Sequence, residues 1–176
     1  MQTTTPAATV DPRSQAVIAG IETIAPEFIL ELPSSTLKTI LAHFLQRSDV
    51  TTFPIPREEE GVGILSGLVL AGRRAIMVIQ DNGIGNMITA LATFPQAYHL
   101  PMLIITARRG GLGEYNSMIH HVSEHAEALL DAAGFRYFQL DHRSPLDDWT
   151  PTVVRSYEFA QITHRPVFLL VNLMGG

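Results

Sequence analysis

The feature that most constrains the fold is a set of short apolar runs that have no polar face. Ala75–Ile79, Met102–Ile105 and Val167–Val171 are almost wholly aliphatic. A strand with one wet face alternates apolar and polar residues, so an unbroken run is covered on both faces. Phe28–Leu32, Thr51–Phe53 and Phe135–Leu140 add weaker strand patterns, and Pro101–Thr106 frames the second strong run. Between them lie segments of helical spacing: Val17, Ile18, Ile21 and Ile24; Leu37, Ile40, Leu41, Phe44 and Leu45; Glu58–Gly72; Gly85–Phe94; Val122, Ala126, Leu129, Leu130 and Ala133; and Asp148–Thr163. Strands that alternate with helices predict a three-layer α/β fold: a six-stranded, mostly parallel sheet with helices on both faces.

Totals bound the function. A chain of 176 residues suits one domain. Met1–Val10 is rich in Thr, Ala and Pro, so residues 1–13 read as a flexible tail and 14–176 as the domain. Asp11-Pro12 has the chemistry of a helix cap followed by a first-turn proline. Net charge is −5 with no basic cluster, which argues against a nucleic-acid surface. There is no cysteine, so disulfides and thiolate chemistry are excluded. No signal-peptide pattern or membrane-length apolar run occurs, and the expected location is cytoplasmic.

In such sheets ligands sit at the carboxyl ends of the strands. The loops expected there are Leu32–Thr36, Phe53–Glu60, Gln80–Asn86 and Thr106–Ser117. Glu58-Glu59-Glu60 opens a helix, where carboxylates complement the dipole, yet Gly61, Gly63 and Gly67 follow. Glycines that weaken a helix mark close approach by another backbone or a ligand. Asn82-Gly83-Ile84-Gly85-Asn86 is a glycine turn that lacks the third glycine of dinucleotide binders, and no Walker A loop occurs. Arg108 and Arg109 offer guanidinium forks to an anionic substrate, or are solvated loop arginines. His121 to His125 matches His-x-x-Glu-His, but no third ligand is in context, and no metal is assigned to this chain. His120 or His121 is expected to face the ligand, at a loop-to-helix junction.

Three segments carry a family resemblance: Arg57-Glu-Glu-Glu-Gly-Val-Gly, Leu70-Ala-Gly-Arg-Arg, and Gln80-Asp-Asn-Gly-Ile-Gly-Asn-Met-Ile-Thr-Ala-Leu. They resemble the pyrimidine-binding (PYR) domain of thiamine diphosphate enzymes, and within it the alpha subunits of sulfopyruvate decarboxylases, with phosphonopyruvate decarboxylases next. Leu100-Pro-Met-Leu-Ile-Ile-Thr-Ala-Arg-Arg-Gly and Pro166-Val-Phe-Leu-Leu-Val extend the likeness over most of the chain from about Ser14. The resemblance implies thiamine diphosphate as cofactor and a PYR-domain glutamate beside N1′ of its aminopyrimidine. An Arg-His-Glu-Gln-Gly-Ala-Gly pattern maps that glutamate onto Glu59; aligning the later glycine maps it onto Glu58. It further implies that Asn82, Gly83, Ile84, Gly85 and Asn86 approach the cofactor, that His120 or His121 handles protons, and that Arg108, Arg109 and Ser34 meet the substrate.

The Gly-Asp-Gly motif of the diphosphate-binding half is missing from these residues. The resemblance therefore implies a separate beta subunit that holds most of the Mg2+ and diphosphate contacts, in an alpha2beta2 or larger assembly. The expected reaction is decarboxylation of sulfopyruvate to sulfoacetaldehyde. Phosphonopyruvate is the alternative substrate, and a non-catalytic binding or regulatory module the alternative role. A stand-alone nucleotide-binding protein is a third reading. Ala107-Arg108-Arg109-Gly110, His120-His121 and Asp81-Asn82 depart from the Trp-Arg-Gly, Gln-His and Asn-Ser of similar proteins, and bear on substrate identity.

Overall fold

A computed structural model describes residues 11–174. The expected tail lies mostly outside the described residues, and its boundary moves: α1 (Pro12–Ile24) begins at Pro12, with Asp11 accepting from the Ser14 amide. Arg13 therefore belongs to the domain. The remaining helices are α2 (Lys38–Leu45), α3 (Glu58–Leu70), α4 (Ile84–Thr93), α5 (Ser117–Glu124), α6 (Ala126–Ala133) and α7 (Trp149–Thr163). The strands are β1 (Phe28–Glu31), β2 (Thr51–Pro54), β3 (Ala75–Gln80), β4 (Met102–Ala107), β5 (Arg136–Leu140) and β6 (Pro166–Val171).

All six strands are parallel, in the order β2-β1-β3-β4-β6-β5. The three strong apolar runs are β3, β4 and β6, the interior strands, and their aliphatic residues are fully buried or nearly so. The weaker patterns β2 and β5 lie at the edges, where one side is exposed. Ile29, Val78 and Ile105 point to one face, against α1, α2 and α7. Leu30, Met77 and Ile104 point to the other, against α3, α4 and α6.

This division of helices creates the site. The chain leaves β1 for α2 on one face and leaves its neighbour β3 for α4 on the other. The loops after β1 and β3 diverge, and such a reversal opens a crevice at the carboxyl ends of the strands. One helix expected to run through residue 133 is two, broken at His125.

Candidate functional site

Three consecutive carboxylates begin α3, and helical residues project about 100° apart, so they point in different directions. Glu58 turns inward and is 7% exposed. Its side chain lies over Gly83, and its Oε2 accepts a hydrogen bond from Asn86 Nδ2 at 3.0 Å. Glu59 stays near the surface, with its side chain 33% exposed. Arg57 Nε donates to its Oε1 at 2.6 Å, while its Oε2 is shielded from solvent and has no partner. Its own backbone N–H, with Arg57 adding, holds the Glu59 carboxyl below the usual range. Glu60 is exposed. Of the two candidate registers, Glu58 is committed to its own chain, and Glu59 keeps an unused acceptor.

The glycine turn divides similarly. Gly85 and Asn86 are exposed and Asn82 is half-buried. Gly83 lies beneath Glu58, and Ile84 is fully buried in the core. Ile84 has its apolar side chain in the core, so any contact with the expected cofactor falls to its backbone.

A second cluster occupies the crevice between β1 and β3. Arg109 is buried, and Nε and Nη2 donate to Glu114 at 2.6 and 3.0 Å. Its Nη1 donates to Ser34 Oγ at 3.1 Å and to Gln80 Oε1 at 3.2 Å. The Arg109 guanidinium holds Glu114 down to about 2. Arg108 turns the other way, donating to the Ser123 carbonyl at 2.7 Å and facing Glu127 at 3.3 Å. Neither arginine is the open anion fork that the loop position suggested: each is already paired with protein acceptors.

Asp81 joins these pieces. It is fully buried and accepts from the Arg109 amide at 2.9 Å, from Ser123 Oγ at 2.6 Å and from Arg108 Nη1 at 3.4 Å. Burial pushes its carboxyl up, against the pull of those donors. Asp81 thus ties the β3–α4 turn to α5, which carries the histidines. His120 Nε2 donates to the Glu114 carbonyl at 3.1 Å, and Nδ1 faces Glu124 at 3.5 Å, so acceptors on both sides push its pKa up. His121 is exposed and lies against His125 with the rings tilted at 49° and their centroids 4.9 Å apart. Among the described residues no group of three His, Asp or Glu is placed to hold a metal. The sequence does not single out Glu114, and it marks Gln80 and Asp81 only as part of the Gln80–Asn86 turn and, for Asp81, of a departure from similar proteins, with no role of their own. The one available hint was a glutamate five residues after Arg109 across a glycine-rich loop.

Sheet order and cluster together define a PYR-like α/β domain. The fold agrees with that of a 2-oxoglutarate:ferredoxin oxidoreductase from Magnetococcus marinus, at TM-score 0.67 and 14% identity, over 94% of this chain and 29% of that one. No protein-family model matches the chain. It is 34% identical over 125 residues to sulfopyruvate decarboxylase subunit alpha of Methanococcus maripaludis, covering 71% of this chain and 75% of that one. It is also 34% identical to a longer sulfopyruvate decarboxylase of Methanosarcina acetivorans, covering 80% of this chain and 35% of that one. Phosphonopyruvate decarboxylases match more distantly, at 24% identity. The chain belongs to the sulfopyruvate decarboxylase alpha-subunit family. Membership implies a decarboxylase with thiamine diphosphate as cofactor and a partner subunit.

Proposed function

We propose that this chain is the alpha subunit of a two-chain sulfopyruvate decarboxylase, and that Glu59 is the carboxylate beside the aminopyrimidine of its thiamine diphosphate. The observation that carries this is the orphaned Glu59 Oε2, shielded from solvent yet unbonded. A buried acceptor without a donor is costly, and a protonated ring nitrogen supplies the missing donor. When bound, thiamine diphosphate supplies the electron sink for loss of CO2. The chain's own task is to keep Glu59 ionised as the acceptor that exchanges a proton with that ring nitrogen, keep Arg57 on the opposite oxygen, and present the exposed Gly85 and Asn86 at the start of α4. Of the two histidines, His121 is exposed on α5, whereas His120 is held between two acceptors.

The partner is inferred from the names of the relatives and from one surface. Between Gly61 and Leu70, and throughout α4, there is no charged residue. Gly63, Ile64, Gly67 and Leu70 of α3 are exposed, as are Gly85, Thr89 and Ala92 of α4. We assign this uncharged face to the beta subunit, which would also hold Mg2+ and the diphosphate, in an alpha2beta2 assembly.

The test is Glu59→Gln in a complex reconstituted with the beta chain and assayed for aldehyde over a panel of 2-oxo acids. A proton-handling carboxylate contributes about 10²–10⁴-fold to rate, so kcat should fall by at least that lower figure. Turnover near that of the unmodified complex sinks the assignment. The panel separates sulfopyruvate from phosphonopyruvate.

A further inference from the structure

The crevice cluster contains a chain of hydrogen bonds whose direction is fixed at one end. A guanidinium has donors and no acceptor. Arg109 therefore obliges Gln80 to face it with Oε1, and the Gln80 amide nitrogen must point the other way. That nitrogen reaches Asn82 Oδ1 at 3.4 Å. Asn82 is thus turned oxygen inward, and its Nδ2, with two protons, has no partner among the described residues.

The same nitrogen of Arg109 fixes the second arm. It donates to Ser34 Oγ, which lies 3.2 Å from Thr36 Oγ1. Two hydroxyls carry two protons, and one suffices for the bond between them. Arg109 cannot accept the other, so it must be directed out of the pair. Glu114 meanwhile neutralises the Arg109 charge. The crevice is lined by oriented donors rather than by a free cation.

We propose that this donor edge, formed by Asn82 with the Ser34–Thr36 pair, binds an anionic oxygen of the 2-oxo acid, and that Arg109 and Glu114 are positioning residues that set its polarity. The proposal rests on the functional reading above and moves Asn82 from the cofactor to the substrate. It explains how an anion is recognised where both loop arginines are occupied. Oriented, partly desolvated donors need no reorganisation when the ligand arrives.

Asn82→Asp tests it cleanly. The aspartate keeps an oxygen for Gln80 and replaces only the outward donor by an acceptor. Gln80→Glu is the second variant: a glutamate still satisfies Arg109 but offers Asn82 an acceptor, which turns the Asn82 oxygen outward. Sulfopyruvate binding is measured by calorimetry on the alpha–beta complex without thiamine diphosphate, and KM on the loaded complex. Both variants should weaken binding and raise KM at least tenfold, with the affinity for thiamine diphosphate within twofold of the unmodified complex. Values for sulfopyruvate within twofold of the unmodified complex overturn the proposal, as does an unmodified complex that does not bind sulfopyruvate. If the unmodified complex binds sulfopyruvate without decarboxylating it, and both variants bind it more weakly, the donor edge stands and the decarboxylase reading falls.

Discussion

A Cβ built on Gly83 would lie 2.4 Å from Glu58 Cγ and Oε1, so the glycine of the β3–α4 turn and the first carboxylate of α3 fit only each other. Gly83 has φ −79, an angle open to any residue; it is space that requires glycine. Gly83→Ala should push Glu58 off Asn86 and cost about 1–3 kcal/mol, the usual range for overpacking. Glu58→Ala should relieve most of that clash. A double-mutant cycle by urea unfolding should give a coupling of about 1 kcal/mol or more, and strict additivity would show that the two do not share the site.

Gly67 presents the opposite case, because nothing lies within 4 Å of a Cβ added there. Gly67→Ala should stabilise the isolated chain by about 0.5–1 kcal/mol through helix propensity alone. If the uncharged α3–α4 face meets the beta subunit closely, the same change should weaken assembly. Thermal unfolding of the single chain and analytical ultracentrifugation of the mixture should therefore move in opposite senses.

The Arg109–Glu114 pair sets a pH window. The Glu114 carboxyl falls from an ordinary 4.5 to about 2, so its contribution is complete above 4.5 and is lost as pH drops toward 2. Hydrogen exchange of the 108–117 loop, corrected for intrinsic rates, should loosen sharply in that acid range as Glu114 protonates. It should loosen slightly again toward pH 8 as His120, bonded to the Glu114 carbonyl with its pKa raised above 6.5, loses its proton. Glu114→Gln should remove the acid step and leave the loop less protected above pH 4.5.

Glu31, the last residue of β1, is 4% exposed, and its Oε2 has no hydrogen-bond partner. Burial pushes its carboxyl up. With a raised folded pKa, the native state holds a proton that the unfolded chain has released, so stability falls as pH rises through the interval above 4.5. Glu31→Gln should abolish that fall and raise the Tm at pH 7 by roughly 2–4 °C, the shift expected for about 1 kcal/mol in a chain of this size. An unchanged Tm at pH 7 would show that the carboxylate is solvated after all.

Much of the architecture was legible because burial leaves a local trace. Val78, Ile105 and Leu169 sit in runs that could only be interior strands, and they are. The α5–α6 break was not legible. Ile119, Ser123, Ala126 and Leu130 keep a helical spacing straight through His125, so the pattern of buried residues continues where the backbone does not. Arg109 shows the same limit at the site. In the chain it is one of two adjacent loop arginines; only the fold brings it to Ser34, 75 positions earlier, and to Gln80, 29 positions earlier.

The sequence by itself determined a parallel α/β sheet, the four loops at its carboxyl edge and the family to which the chain belongs. Periodicity, turn residues and short motifs are local, and local physics writes them into contiguous residues. The tertiary structure alone decided direction and pairing: Glu58 inward and Glu59 outward, Arg109 spent on Glu114, and Asn82 turned to offer its donor. Those outcomes depend on which groups share a desolvated space once the segments pack. There each donor must find an acceptor, and the choice among candidates, near in sequence like Glu114 or far like Asn86, is made only by the packing.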